Sequence, residues 1–283
     1  MTIREALASA EAMLKEAGVP DPYIDAEWML ESVSGLDRMQ MKWNQETELT
    51  PEQEQRFSSL LLSRANREPV QYLLGEQYFY GLRFQVTPDV LIPRQETEEL
   101  CEWGLHFLKK HPAPSALDLC TGSGAIAVTL KHRCPRAEVT ASDLSEGALK
   151  VAQKNALANG VNVRFLKGDL WEPLRGMTFD LILSNPPYIP TQDCETLQPE
   201  VLCEPRMALD GGKDGLDFYR RIADGAREHL NPGGMIAVEL GVGEAEDVAE
   251  LFRRAGLADV EIRKDLYGVE RMVGARRRSK EHV

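Results

Sequence analysis

Two hydrophobic rhythms divide the chain. Over the first seventy or so residues, apolar positions recur three and four apart, the spacing of a helix with one buried face. Thr2-Ile3-Arg4-Glu5 is a capping box that opens an amphipathic helix ending near Gly18. Asp21-Pro22 supplies an N-cap with proline at the first helical position, and that second helix ends by Gly35. Thr50-Pro51-Glu52-Gln53 repeats the start signal ahead of Phe57, Leu60, Leu61 and Leu62. Three or four such helices make a small bundle, expected as a separate domain over residues 1–74. The character changes at Pro69: Gln77–Tyr80, Gly81 and Leu82–Val86 read as a hairpin bounded by Pro88, so residues 75–88 link the bundle to a larger domain over 89–283.

In that larger domain the pattern alternates. After a helix from about Arg94 to Lys110, strands are expected at 116–120, 138–142, 162–167, 179–184, 235–240, 258–263 and 269–274. Helices fall between the earlier ones, at roughly 124–133, 146–159, 215–230 and 244–255. Regular β–α alternation predicts an α/β, Rossmann-like, doubly wound parallel sheet with its ligand at the carboxyl ends of the strands. The last two strands leave no room for a helix between them and are expected to close the sheet as an antiparallel hairpin.

Composition narrows the function. No apolar run approaches the roughly 20 residues a membrane helix needs, and Met1-Thr2-Ile3-Arg4-Glu5 lacks the layout of a signal peptide. The five cysteines form no Cys-x-x-Cys pair and read as reduced thiols of a cytoplasmic protein. His106, His111, His132, His229 and His282 form no pair with metal-ligand spacing, so no metal is expected. A net charge of −12 argues against duplex DNA as a partner. The one basic cluster, Arg276-Arg277-Arg278, reads more simply as a solvated tail than as a nucleic-acid contact.

Asn185-Pro186-Pro187-Tyr188 follows the apolar run Phe179–Ser184 and carries the strongest chemical signal. The Asn side-chain carbonyl and the Pro186 backbone carbonyl offer two acceptors at a strand end. The prolines have no N–H to compete, and their fixed φ keeps the turn rigid. Two convergent acceptors suit a planar –NH2, of an amide or a base, with Tyr188 flat against it. Such a seat prepares a nitrogen for alkylation. The alkyl donor is indicated by three other strand ends. Cys120-Thr121-Gly122-Ser123-Gly124 joins the first strand to its helix, with glycines that admit a ligand close to the backbone. By itself that loop also fits a dinucleotide or a plain turn. Asp143 ends the second strand, where an acid can accept ribose hydroxyls, or can merely cap the next helix. Asp169-Leu170-Trp171 ends the third, with an acid for an adenine amino group and Trp171 either over the base or in the core. In this order, ahead of Asn-Pro-Pro-Tyr, the set suggests an S-adenosylmethionine site. Cys120 reads as a small-residue slot, not as a nucleophile.

With these motifs placed, the chain resembles the HemK-type release factor glutamine methyltransferases. The likeness is carried by Tyr72–Gly75 with Phe84–Glu98 (including Ile92-Pro93-Arg94-Gln95-Glu96-Thr97-Glu98), Leu117–Ala127, Asn185–Ile189, and Glu204-Pro205 with Ala208–Gly215. With the helical prefix it spans nearly the whole length. The resemblance implies a class I methyltransferase fold and methylation of the amide of the glutamine in a Gly-Gly-Gln motif of peptide chain release factors. It implies that Cys120–Gly124 line the methionine part of the cofactor, that Asp143 takes the ribose, and that Asp169 with Leu170 or Trp171 takes the adenine. Asn185, Pro186, Pro187 and Tyr188 are implied to hold the glutamine, with Asn185 also near the cofactor. Cys120 stands where many relatives have glycine. The helical domain is expected to dock the protein substrate or to act as a lid, and the protein is expected to be a monomer. Rival readings are a ribosomal-protein glutamine methyltransferase, an amino-group DNA methyltransferase and a non-catalytic scaffold.

Overall fold

A computed structural model describes residues 1–279, so His282 lies outside the described residues. The chain forms two compact units. The first gathers Met1–Glu76 together with the later segment Gln198–Cys203. In it, α1 (Ile3–Glu16) opens on the expected capping box: the Thr2 hydroxyl accepts from the Glu5 N–H, and the Glu5 carboxylate accepts from the Thr2 N–H. Helix α2 (Pro22–Ser34) starts on its proline and stops at Gly35, whose φ of 71° ends the helix in the left-handed region. Two short helices, α3 (Arg38–Trp43) and α5 (Val70–Leu74), flank α4 (Pro51–Ala65). Their apolar faces close on one core that includes Ile3, Leu14, Met29, Leu30, Met41 and Phe57.

That core also holds charges. Buried Arg64 donates to Asp25 at 2.7 Å and to Glu200 at 2.9 Å, while Arg67 grips Glu200 with two further bonds at 2.6 and 2.7 Å. Burial pushes the Asp25 carboxyl up in spite of Arg64. Burial acts the same way on Glu200, but Arg67, Arg64 and a backbone N–H outweigh it and hold that carboxyl at about 2. Arg64 is costly to remove, because Asp25 would remain buried and unpaired and Glu200 would keep only Arg67.

The second unit is the remainder of the chain. It begins with the hairpin β1 (Glu76–Phe79) and β2 (Leu82–Gln85), whose Phe79 and Phe84 meet edge to face, and continues into α6 (Glu96–Leu108). Then come β3 (Ser115–Leu119), α7 (Ala125–Arg133), β4 (Glu138–Asp143), α8 (Glu146–Ala158), β5 (Arg164–Lys167) and β6 (Phe179–Ser184). Beyond the short helix α9 (Pro199–Leu202), which falls in the first unit's segment, follow α10 (Asp217–His229), β7 (Leu230–Glu239), α11 (Ala245–Arg254), β8 (Ala258–Lys264) and β9 (Glu270–Arg276).

The seven strands lie in the order β5-β4-β3-β6-β7-β9-β8. β3 to β7 are parallel, and β9 and β8 close the sheet antiparallel, as the spacing predicts. The central strands are buried on both faces: Ala116 points into a core shared with α6 and α7, and Leu117 and Leu119 into one shared with α10 and α11. Each such leucine withdrawn from water contributes about 1.5–3 kcal/mol. Two details depart from expectation. β7 starts at Leu230 and not at 235, because Leu230 already pairs with Phe179, and residues 231–234 lie in a register shift before pairing resumes between Leu181 and Met235. The basic cluster is also not a frayed tail at its start. Arg276 ends β9 with its guanidinium over Phe107, and Arg277 donates to the carbonyls of Arg227 and Leu230 near the end of α10.

Candidate active site

β3 and β6 are neighbours, yet the chain leaves β3 toward β4 on one side and β6 toward β7 on the other. Their carboxyl ends therefore diverge and leave a crevice, the place where open α/β sheets bind ligands. A cavity of about 540 Å³ occupies it.

One wall is the loop from β3 to α7. Cys120, Thr121, Gly122 and Ser123 line the cavity, while Gly124 lies behind them as the N-cap of α7, with its Cα face against Ala152 of α8. Cys120 has a φ of 63°, a left-handed conformation that costs a non-glycine residue roughly 1–2 kcal/mol. The same geometry accounts for a position well suited to glycine. Burial, helped by Asp143, pushes the Cys120 thiol far up, so it stays protonated. Asp118 anchors the loop from below: one carboxylate oxygen accepts from the Thr121 hydroxyl and the Ala127 N–H, and burial raises the carboxyl to about 7.

The next strand ends supply the polar groups. Asp143 accepts from the Gly122 N–H at 2.9 Å through one oxygen and from the Ser145 N–H at 2.8 Å through the other. Burial raises this carboxyl against those backbone bonds. A carboxylate has about four lone-pair sites, so two remain for a ligand's hydroxyls. Asp169 and Leu170 line the cavity after β5, and Leu170 is turned inward by a φ of 47°. The Asp169 carboxylate is half exposed and pairs with Arg221 at 2.7 Å. Trp171 is not in the lining. Its ring stacks on His229 at 4.6 Å and its Nε1–H donates to the Arg221 carbonyl, on the α10 side of the sheet.

Asn185 and Pro187 bring the fourth strand end to the wall; Pro186 is buried, and Tyr188 packs into the core beneath α10. This turn is tied from two directions. Ile189 pairs with the segment 209–211, its N–H donating to Leu209 and its carbonyl accepting from Gly211. Gly211 lies so close that a Cβ there would fall 2.7 Å from the Tyr188 Cα. From the other side, the Asn185 Nδ2–H donates to the Thr97 hydroxyl at 3.1 Å, and that hydroxyl donates to the buried Glu239 carboxylate at 2.6 Å. Burial pushes Glu239 up to about 7. Arg94, also in the lining, is held by buried Glu204, which accepts from the Ile92 N–H as well.

Thr97, Glu239, Arg94 and Glu204 carry no site role in the sequence reading. A signal was present for Glu239: it is a carboxylate at the end of the apolar run Met235–Val238, where nothing else is charged. The residues at the cavity fit S-adenosylmethionine. Gly122 leaves open space where a Cβ would stand, Asp143 has unspent acceptors, and Leu144 and Leu170 add apolar surface.

The chain is similar to known proteins over most of its length. Residues 5–75 match the PrmC N-terminal domain and residues 104–241 the methyltransferase small domain. The release factor glutamine methyltransferase of Geobacter sulfurreducens is 48% identical over 97% of this chain and 96% of its own length. That of Moorella thermoacetica is 45% identical over 90% of this chain and 91% of its own. Among solved structures, a methyltransferase from Pyrococcus furiosus superposes with a TM-score of 0.53 at 24% identity, covering 70% of this chain and 90% of that one, a likeness of fold. The chain thus has the class I methyltransferase fold and belongs to the family of release factor glutamine methyltransferases, S-adenosylmethionine-dependent protein glutamine N-methyltransferases.

Proposed function

We propose that this protein methylates the side-chain amide nitrogen of the glutamine in the Gly-Gly-Gln motif of peptide chain release factors. The observation that carries the reading is Asn185 and Pro187 at the wall of the same cavity as the glycine loop and Asp143. The family relationship supplies the substrate class. On this reading Asn185 Oδ1 and the Pro186 carbonyl accept the two amide N–H bonds, and Tyr188 backs the turn that holds them. The bound S-adenosylmethionine supplies an electrophilic methyl, whose sulfur keeps the bonding pair and leaves as a thioether.

Amide nitrogen is a weak nucleophile because its lone pair is delocalised into the carbonyl. Acceptors on both N–H bonds stabilise the positive charge that grows on nitrogen during attack, and a fixed seat removes the cost of orientation. The nitrogen then carries a surplus proton that is strongly acidic and passes to water, so no tuned base is needed. The buried Tyr188 hydroxyl, pushed up by burial and by Glu239, stays protonated and is no base. Asp143 is assigned to the ribose and Leu170, with Asp169, to the adenine. The helical unit is assigned to docking the release factor. A cytoplasmic monomer is the form we assign.

The test is methyl transfer from radiolabelled S-adenosylmethionine to a release factor, a large-subunit ribosomal protein and duplex DNA in separate reactions. Label confined to the release factor, on its Gly-Gly-Gln glutamine by mass spectrometry, is the expected result. Label in the ribosomal protein or DNA with none in the release factor would overturn the reading.

A further inference from the structure

We infer that Thr97 and Glu239 are positioning residues that fix the polarity of the Asn185 amide, turning its oxygen to the cavity and its nitrogen away. The inference rests on the proposed function, in which that oxygen must accept a hydrogen bond. An asparagine amide is nearly symmetric in shape, so packing alone does not choose which end faces a ligand. Hydrogen-bond logic does. Thr97 has one hydroxyl proton, and at 2.6 Å from Glu239 Oε2 it is committed to a carboxylate, which can only accept. The hydroxyl oxygen is then left to accept, and only the Nδ2 end of Asn185 can donate to it, across 3.1 Å. Oδ1 is thereby presented to the cavity.

The relay is fully enclosed where it matters. Thr97, at the cavity wall, and Glu239 behind it are only 4% and 2% exposed, so water competes little for these bonds. A buried charge-assisted bond of this kind is among the stronger ones available. Main-chain contacts hold the far end: the Tyr219 hydroxyl donates to the Glu239 carbonyl at 2.8 Å.

Protonation of Glu239 would reverse the logic. A neutral carboxyl can donate to Thr97, freeing the hydroxyl proton to point at Asn185, which then presents Nδ2 to the cavity. An N–H facing the substrate's N–H is the wrong polarity. The groups around Glu239 are Glu96 and Arg94 at the start of α6, Cys101 within α6, Arg271 on β9, and the phenols of Tyr188 and Tyr219. Burial keeps Cys101, Tyr188 and Tyr219 protonated near neutrality. Beside those three protonated groups Glu239 is raised to about 7 and changes charge there, and the active form is the one above its midpoint.

Two readouts test this on the full chain. In the first, with asparagine side chains labelled with nitrogen-15, one Asn185 amide proton exchanges slowly in the wild type, and the protection is lost in Thr97→Val and in Glu239→Gln. In the second, with release factor as substrate, Thr97→Val lowers kcat about a hundredfold and Glu239→Gln about tenfold. S-adenosylmethionine affinity by calorimetry stays within about twofold in both, and Thr97→Ser restores most of the activity. At saturating S-adenosylmethionine, wild-type kcat rises about tenfold from pH 6 to pH 8 as Glu239, with its midpoint near 7, ionises, and Glu239→Gln flattens that rise. Asp118 beneath the glycine loop is also raised to about 7, and a rise that persists in Glu239→Gln would overturn the assignment to Glu239. Amide exchange unchanged by Thr97→Val would overturn the inference, as would an undiminished kcat. Lost protection in a wild-type protein that methylates no release factor would support the relay and count against the proposed function alone.

Discussion

The two halves of the cavity are built by different means. The wall assigned to the cofactor is local: the Asp143 carboxylate is joined to the backbone N–H groups of Gly122 and Ser145 at neighbouring strand ends, 21 and 2 positions away. The wall assigned to the substrate amide is remote. Asn185 reaches Thr97 across 88 positions of sequence, Thr97 reaches Glu239 across 142, and Arg94 reaches Glu204 across 110. The local wall uses backbone geometry that few side chains can disturb. The remote wall relies on buried side chains that each need a particular partner. Binding is therefore expected to tolerate substitution better than turnover does.

That contrast can be broken in steps of decreasing size. Asn185→Ala removes the acceptor and lowers kcat by about a hundred- to a thousandfold with cofactor affinity within about twofold, as single-turnover rates and calorimetry would report. An unchanged rate would end the assignment. Asp143→Ala reverses the signature: the dissociation constant for S-adenosylmethionine rises about ten- to a hundredfold, while kcat at saturating cofactor falls only slightly, since two hydroxyl contacts and two backbone partners are lost. Gly211→Ala tests the backing of the substrate wall. Its Cβ would meet the Tyr188 Cα at 2.7 Å, the turn must shift, and kcat falls about tenfold without loss of cofactor binding. Smallest of all, Trp171→Phe keeps cofactor affinity within about twofold and costs about 1 kcal/mol of stability through its lost bond to Arg221 O, whereas Leu170→Ala weakens cofactor binding severalfold. The reverse ranking of Leu170 and Trp171 would move the adenine assignment to the tryptophan.

The same contrast explains what the sequence makes legible. The β–α alternation and the antiparallel close of the sheet rest on short periods, and they agree with the structure. Thr2-Ile3-Arg4-Glu5 works at a distance of three residues and agrees as well. The true start of β7 is hidden because Pro232-Gly233-Gly234 carries turn chemistry, which the structure absorbs as a register shift inside the strand, with Gly233 at a φ of 81°. Thr97 and Glu204 lie in segments that carry the family likeness, but their roles stay hidden until the fold brings partners to them. No local signal assigns Gln198–Cys203 to the first unit, since its ties to Arg64 and Arg67 come from more than a hundred positions away. The left-handed φ of Cys120 and Leu170 is equally silent in the sequence, because neither residue type advertises it.

The proline pair of the Asn185–Tyr188 turn has a consequence for how such an enzyme can change hands in evolution. A seat that offers two acceptors and no donor reads only an –NH2 group, and it is blind to the molecule behind it. Choice among substrates then has to be exercised by whatever surface delivers the amide, at a distance from the bond being made. On the proposed reading, the chemistry is a fixed tool and the client list is written elsewhere on the protein. New clients could be acquired by redrawing a docking face, with Asn185, Thr97 and Glu239 left untouched.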